Sequence, residues 1–294
     1  MPRTARDQAL QSPHEVLALD MGGTQLRAAR IRQGKLESHA QLRVNAQGSM
    51  QEVLEQVFQI CQQQLLSQTR AICIGVPSVV DLDTGIVYDV QNIPSWVEVP
   101  LKQLLEDRFG IPTLVNNDAN CFALGEAYYG KGREAQSLIG LSIGTGLGAG
   151  ILIDGKLYPG ARCGAGEFGM LDYLDHCYEY YACGQFFQNV HQVDGTEVFR
   201  KARMGDPGAL ALYGELGTHL GRAIRAILYS YDPELMILGG SVSSAYPYFS
   251  QAMWQEIRRF AYTKTLERFR LEISELEHAA LLGTAALYFD SLHS

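Results

Sequence analysis

The sequence has no dense run of lysine and arginine, no long apolar run and no closely spaced cysteine pair, and each absence removes a class of function. Lys and Arg total 24 against 32 Asp and Glu, for a formal net charge of −8. Without a basic stripe, nucleic acid and anionic membrane are excluded as the main partners, and any anionic ligand must be held by local chemistry. The opening stretch MPRTARDQALQSP is polar with no apolar signal core, and nothing approaches the about 18 apolar residues of a membrane span. A cytoplasmic protein is expected. The six cysteines, Cys61, Cys73, Cys121, Cys163, Cys177 and Cys183, form no CxxC pair and read as reduced, mostly buried thiols rather than a disulfide framework.

Glycine, by contrast, is abundant. Thirty glycines in 294 residues make roughly 10% of the chain, against roughly 7% in an average protein, and ten of them fall between Gly140 and Gly169. With 47% hydrophobic residues the chain can bury a sizeable core, and its length suits two compact units.

The element order alternates helix and strand. VLALD, the turn MGGT and LRAARI read as a hairpin; Met50 to Leu66 has a helical period and leads into the apolar strand AICIGV. Leu101 to Phe109 reads as a short helix, TLVNND as a strand, and a further helix begins near Ala119. The second half repeats the pattern with the strand Ser137 to Ile143, a glycine turn and GAGILIDGKLY. GGTQLRAARIRQGKL and IGTGLGAGILIDGKL align at a constant offset of 121 residues, which predicts duplication of a whole domain. Pro207 to Tyr231, Tyr246 to Phe260 and Ala279 to Leu292 read as helices, and LMIL as a strand ending at Gly239 and Gly240. The expected architecture is two α/β lobes, residues 1–118 and 119–278, with the helix in 279–294 packing back on the first.

Several residues carry chemistry. Asp20 ends a strand and is followed by Gly22, Gly23 and Thr24; glycines let amides approach an anion, and the hydroxyl offers a place for metal-bound water. An ordinary hairpin turn uses the same glycines. The second copy at Gly144, Thr145 and Gly146, and a third turn at Gly239 and Gly240, favour gripping a nucleotide triphosphate from both lobes. Asp118, at a strand end before a helix, is either a helix N-cap or a general base, with Asn116 or Asn117 supplying hydrogen bonds. Glu167, within GAGEFG, suits sugar recognition or is a solvated loop charge. Asn92 and Glu179 are unremarkable taken singly.

Taken together, DMGGTQLR, GVPSVVDLDTGIV with NIPSW, VNNDANCFALGE, IGLSIGTGLGAGILIDGKLYPGA and DPELMILGGSV resemble the motifs of ROK-family sugar kinases, a branch of the actin-like ATPase superfamily, from Val16 to Leu287. The resemblance implies two actin-like, ribonuclease H-like lobes with a nucleotide and sugar cleft, and transfer of the γ-phosphate of ATP to a hexose hydroxyl, usually at C6. It implies Asp118 as catalytic base and Asn92, Asn117, Glu167 and Glu179 as sugar contacts. Gly22, Gly23, Thr24, Gly144, Thr145, Gly146, Gly239 and Gly240 become nucleotide contacts, and Asp20 an indirect Mg2+ partner. A homodimer is also implied.

One departure stands out. The family places a His after ExG and then a cysteine-rich loop that binds zinc, whereas here Met170 follows, nine residues separate Gly169 from Glu179, and the loop keeps Cys177 alone. Four good ligands are not supplied, and Cys163, His176, Cys177 and Cys183 have unfamiliar spacing, so no zinc is expected. Met170 replaces a sugar-contacting His and leaves open which hexose is preferred. The rival readings are a non-catalytic sugar sensor and an actin-like ATPase without a sugar substrate. A transcriptional repressor with a winged helix is disfavoured, because nineteen residues precede Asp20.

Overall fold

The computed structural model describes residues 5–292. In chain order the first half comprises α1 (Ala5–Gln11), β1 (Glu15–Met21), β2 (Gln25–Arg32), β3 (Lys35–Leu36), β4 (Ala40–Arg43), α2 (Met50–Gln64), β5 (Thr69–Val76), β6 (Val79–Asp81), β7 (Ile86–Tyr88), β8 (Glu98–Val99), α3 (Leu101–Phe109), β9 (Thr113–Asn117) and α4 (Asp118–Tyr129). There follow β10 (Leu138–Ile143), β11 (Leu147–Ile153), β12 (Lys156–Leu157), β13 (Asp172–Tyr173), β14 (His176–Cys177), α5 (Tyr178–Ala182), α6 (Phe186–His191), α7 (Gly195–Arg203), α8 (Pro207–Tyr231), β15 (Leu235–Gly239), α9 (Tyr246–Ile257), α10 (Thr263–Leu266), β16 (Arg270–Ile273) and α11 (Ala279–Ser291). Contacts divide the chain into two units. Unit one is Met1–Gln136, Gly150–Ala165 and Glu275–Ser294; unit two is Ser137–Ala149 and Gly166–Ser274.

Unit one is built on a mixed sheet of order β3-β2-β1-β5-β9, with β4 also pairing β2. β1 and β2 form the predicted antiparallel hairpin, and β1, β5 and β9 run parallel. All seven residues of β1 are buried, as a strand covered on both faces requires. The helical period of α2 turns Val53, Leu54, Val57, Phe58, Ile60 and Cys61 inward against this sheet. Each such side chain contributes roughly 1.5–3 kcal/mol by leaving water. A capping box starts the helix: Ser49 Oγ accepts from the Glu52 amide at 3.3 Å and Glu52 Oε2 accepts from the Ser49 amide at 2.7 Å.

The other face of the sheet carries α11, which packs on β1 and α4. In α4 every residue from Ala119 to Tyr128 is buried, so the helix has no solvent stripe. α4 and α11 meet backbone to backbone: a Cβ on Gly283 would overlap the Cys121 carbonyl, and one on Gly125 would overlap the Ala279 carbonyl. Gly150 approaches α4 in the same way, 2.6 Å from the Ala119 carbonyl oxygen once a Cβ is built, and Gly150–Ala165 groups with unit one. The polar N-terminal arm holds a helix that its pattern does not announce. Arg6 stabilises α1 by donating from Nη1 to the carbonyls of Gly132, Arg133 and Ala135 at 3.2, 2.6 and 2.9 Å.

Unit two contains β10, β15 and β16, which run parallel, and the first half of β11. The strand path β12-β11-β10-β15-β16 repeats the path β3-β2-β1-β5-β9, and Lys35–Leu36 and Lys156–Leu157 hold matching places in the two. The 121-residue repeat of the sequence is therefore a repeat of topology. α8 begins with Asp206 accepting from the Ala209 amide and Pro207 at its first turn, and stops at Asp232, which adopts φ +43° before Pro233. Gly217 and Gly221 let α9 lie against α8, since a Cβ on either would overlap a carbonyl of α9. The contact is completed by Glu256, whose carboxylate meets Arg222 at 3.4 Å, Arg225 at 3.3 Å and Arg259 at 2.9 Å. Among the described residues no helix is long and apolar enough to cross a membrane.

Gly283→Ala is expected to lower the unfolding free energy by about 3 kcal/mol. The obstacle is backbone and not a flexible side chain, so neither helix can yield locally. Urea unfolding followed by circular dichroism checks this, the midpoint falling while the slope stays unchanged.

Candidate functional site

In unit one, hairpin register sets Asp20 opposite Arg27. Arg27 Nη2 donates to Asp20 Oδ2 in a short ion pair. Burial pushes the Asp20 carboxyl above its ordinary range, and Arg27 works against that shift. Beyond β1, the Gly22 amide donates to the Gln25 carbonyl at 2.8 Å and closes the turn. Among the described residues nothing accepts from the amides of Gly23 or Thr24, which leaves two donors for an anion. A Cβ on Gly23 would overlap Asn92, so a predicted sugar contact and a predicted phosphate turn touch.

Asp118 is the first residue of α4, and Asn117 is its N-cap: Asn117 Oδ1 accepts from the amides of Ala119 and Asn120 at 2.8 and 3.3 Å. Asn117 also donates from Nδ2 to the Ser78 carbonyl at 3.2 Å, leaving one of its amide hydrogens for a ligand. The negative charges of Asp118 and Asp20 both reach the buried Cys121 thiol, whose pKa is raised chiefly by burial and further by these carboxylates. Beneath the turn lies a buried polar cluster in which Asn116 and Cys163 meet through Asn120, a pairing that their spacing does not announce. Asn116 Oδ1 accepts from the Asn117 amide at 2.8 Å, Asn120 Nδ2 at 2.9 Å and Cys163 Sγ at 3.3 Å. Arg27 was missed as well, although its place in a seven-residue hairpin offset from Asp20 was a usable signal.

In unit two, the turn after β10 is closed by the Gly144 amide donating to the Gly146 carbonyl at 3.0 Å. Gly184 donates to the Gly144 carbonyl at 2.8 Å, and Cys183 Sγ to the Thr145 carbonyl at 2.8 Å. Glu179 Oε2 accepts from the Leu147 amide at 2.8 Å, and a Cβ on Gly146 would stand 2.5 Å from that oxygen. Gly239 pairs with Ser142, and Gly240, at φ +82°, brings the end of β15 against the Ile143 carbonyl. The second and third glycine turns are thus neighbours. Glu167 precedes the short 3-10 turn Phe168–Met170. Loss of water around its carboxyl, and then the Glu179 charge, push its pKa upward.

The fourteen predicted site residues therefore form two sets. Asp20, Gly22, Gly23, Thr24, Asn92, Asn117 and Asp118 lie in unit one, and Gly144, Thr145, Gly146, Glu167, Glu179, Gly239 and Gly240 in unit two. Among the described residues no group of three or more His, Cys, Asp and Glu is arranged to hold a metal ion. A Mg2+ ion held by one carboxylate, water and phosphate oxygens suits the donor set at Asp20, a buried carboxylate that already attracts a cation. Cys163 and Cys183 are engaged with Asn116 and Thr145, and His176 is stacked on Tyr180 at 3.9 Å. Met170 is 54% exposed.

A strand, glycine turn and strand repeated on the same sheet path, with helices packed on it, define a mixed α/β protein of the actin-like ATPase fold. Residues 16–291 match the ROK family, and the chain belongs to that family. It is similar to the glucokinase of Thermotoga maritima, 25% identical over 93% of this chain and 96% of the relative. It is also similar to the xylose repressor of Caldicellulosiruptor bescii, 27% identical over 76% of this chain and 63% of the repressor. A crystal structure of a ROK family glucokinase from Streptomyces griseus in complex with glucose and AMPPNP matches with a TM-score of 0.80 and 25% identity, covering 93% of this chain and 98% of that one.

The raised carboxyl of Glu167 has a thermodynamic consequence. An acid with a folded-state value above its unfolded value stabilises the fold below the unfolded value and loses that contribution as pH rises through the folded one. Glu167→Gln is expected to raise the thermal midpoint of the ligand-free protein at about pH 7.5, with the gain vanishing near pH 4. Differential scanning calorimetry at the two pH values checks the sign.

Proposed function

We propose that the protein is an ATP-dependent, Mg2+-dependent sugar kinase that transfers the γ-phosphoryl group to a hexose hydroxyl, the 6-hydroxyl of glucose or a related hexose. The observation that carries this reading is the start of α4. Capping falls to Asn117, and Asp118 stands beside it in the unit that holds the Asp20 glycine turn. In this reading Asp118 takes the proton of the attacking sugar hydroxyl, the oxygen attacks the γ-phosphorus, and ADP leaves.

Asn92, Asn117, Glu167 and Glu179 bind sugar hydroxyls. The amides around Gly22, Gly23, Thr24, Gly144, Thr145 and Gly146, with the turn at Gly239 and Gly240, hold the nucleotide and its phosphates. Asp20 would hold Mg2+ indirectly, and the ion when bound would supply charge neutralisation on the phosphates. A cytoplasmic homodimer completes the reading. The glucokinase relatives support it, while the repressor relative supports a second one, a sugar-responsive protein without phosphoryl transfer.

A coupled assay with MgATP and a panel of hexoses tests the proposal. Sugar-dependent ADP formation is expected, and Asp118→Asn is expected to lower kcat by about 10²–10⁴ with sugar binding retained. Near wild-type turnover in Asp118→Asn would remove the base assignment. Sugar binding without turnover by the wild type would favour the sensor, and ATP hydrolysis independent of sugar an actin-like ATPase.

A further inference from the structure

α5 carries Glu179 and is only five residues long, with no side-chain hydrogen bond at its N-cap and a single thiol bond, Cys183 Sγ to the Glu179 carbonyl at 3.0 Å, at its C-terminal end. A helix this short has no stability of its own in water, yet Glu179 Oε2 lies 2.8 Å from the Leu147 amide at the edge of the glycine turn. Its placement must come from tertiary contacts. Cys183 and Gly184 tie its C-terminal end to the glycine turn, and aromatic contacts hold its other face. The hairpin of β13 and β14 leads directly into α5, and Tyr173 on β13 stacks on Tyr178 at 4.3 Å and 13° and meets Tyr181 edge-on at 5.6 Å. His176 stacks on Tyr180, and Tyr181 donates its hydroxyl hydrogen to Asp175. Hairpin and helix form one slab of stacked rings.

A hydrogen-bonded link through Tyr173 ties that slab to α8. Arg222 Nη1 donates to the Tyr173 hydroxyl oxygen at 2.9 Å, which directs the hydroxyl hydrogen to His219 Nδ1 at 3.0 Å. Nδ1 then acts as acceptor and the ring hydrogen lies on Nε2, toward Glu215 at 3.9 Å. Burial holds His219 below its ordinary value, against the pull of Glu215, and keeps the imidazole neutral for this role. The Tyr181 ring lies 5.1 Å from the same imidazole.

We infer that Tyr173 and His219 form a metal-free clasp between the β13–β14 hairpin and α8 that positions Glu179, and so sets the affinity of the site for its sugar. Both are positioning residues, and the inference rests on the sugar-kinase reading in which Glu179 takes a sugar hydroxyl. Loosening the clasp weakens sugar binding in ground and transition states alike, which raises KM and spares kcat.

Tyr173→Phe keeps the ring stack and removes the hydroxyl; His219→Leu removes the acceptor; His219→Asn restores one, with Oδ1 in the place of Nδ1. In the full-length protein, Tyr173→Phe and His219→Leu are expected to raise the sugar KM roughly tenfold, with kcat and the ATP KM within about twofold. His219→Asn should recover most of the loss. Amide hydrogen exchange across residues 178–184 should quicken in the first two variants and not in the third, and dialysis of the wild type against a chelator should leave it unchanged. Faster exchange with an unchanged sugar KM would overturn the inference and leave the kinase reading intact. Faster exchange on chelation of the wild type would overturn the metal-free clasp. If the wild type phosphorylates no hexose, the kinase reading falls separately, and calorimetric sugar binding then decides the clasp: an unchanged Kd in Tyr173→Phe overturns it.

Discussion

Backbone contact between α4 and α11, at Gly125 and Gly283, is the interaction from which the rest of unit one is organised. α11 lies on β1, whose end presents Asp20 and the first glycine turn, and α4 starts at Asp118 with Asn117 as its cap. Close packing of the two helices therefore fixes the distance between a strand end and a helix start. Unit two uses the same device where Gly217 and Gly221 admit α9 to α8, and where Gly240 brings β15 against the end of β10. In each case a missing Cβ lets carbonyl groups approach more closely than any side chain would permit.

The carboxylates around the glycine turns are held under tension. Asp20 is buried, with Arg27 as its counter-charge, and the carboxyl of the exposed Glu167 is raised by partial loss of water and by the nearby Glu179 charge. Such arrangements disfavour the ionised groups in the empty protein and leave them able to gain from a cation or a hydroxyl-bearing ligand. Stability and binding oppose each other here, and the buried Asn116, Asn120 and Cys163 cluster beneath α4 supplies rigidity that the carboxylates do not.

Much of this was legible in the residue pattern. The hairpins, α2, α3, α8 and α11 follow from period and from Gly, Pro and Asp punctuation, and α3 and α8 begin and end where those residues place them. α1 was not legible, because its stability comes from Arg6 reaching carbonyls more than a hundred residues away. α6 and α7 were hidden in a stretch too short and mixed for a clear period. At the site, Asp118 drew two readings, and the cap role fell on the residue before it. The distinction depends on where β9 ends, and pattern alone resolves an element boundary poorly.

The sequence by itself determined the duplicated α/β order, the glycine turns, the placement of carboxylates beside them and membership of a family, since each is written in local spacing. Only the tertiary structure decided that Asn117 caps α4, that Arg27 neutralises Asp20, that Gly150–Ala165 groups with unit one, and that stacked tyrosines and His219 hold the helix of Glu179. The physical reason is range. Local pattern records which face a residue buries, while a buried charge, a cap or a stack is settled by partners that the chain brings together from far apart.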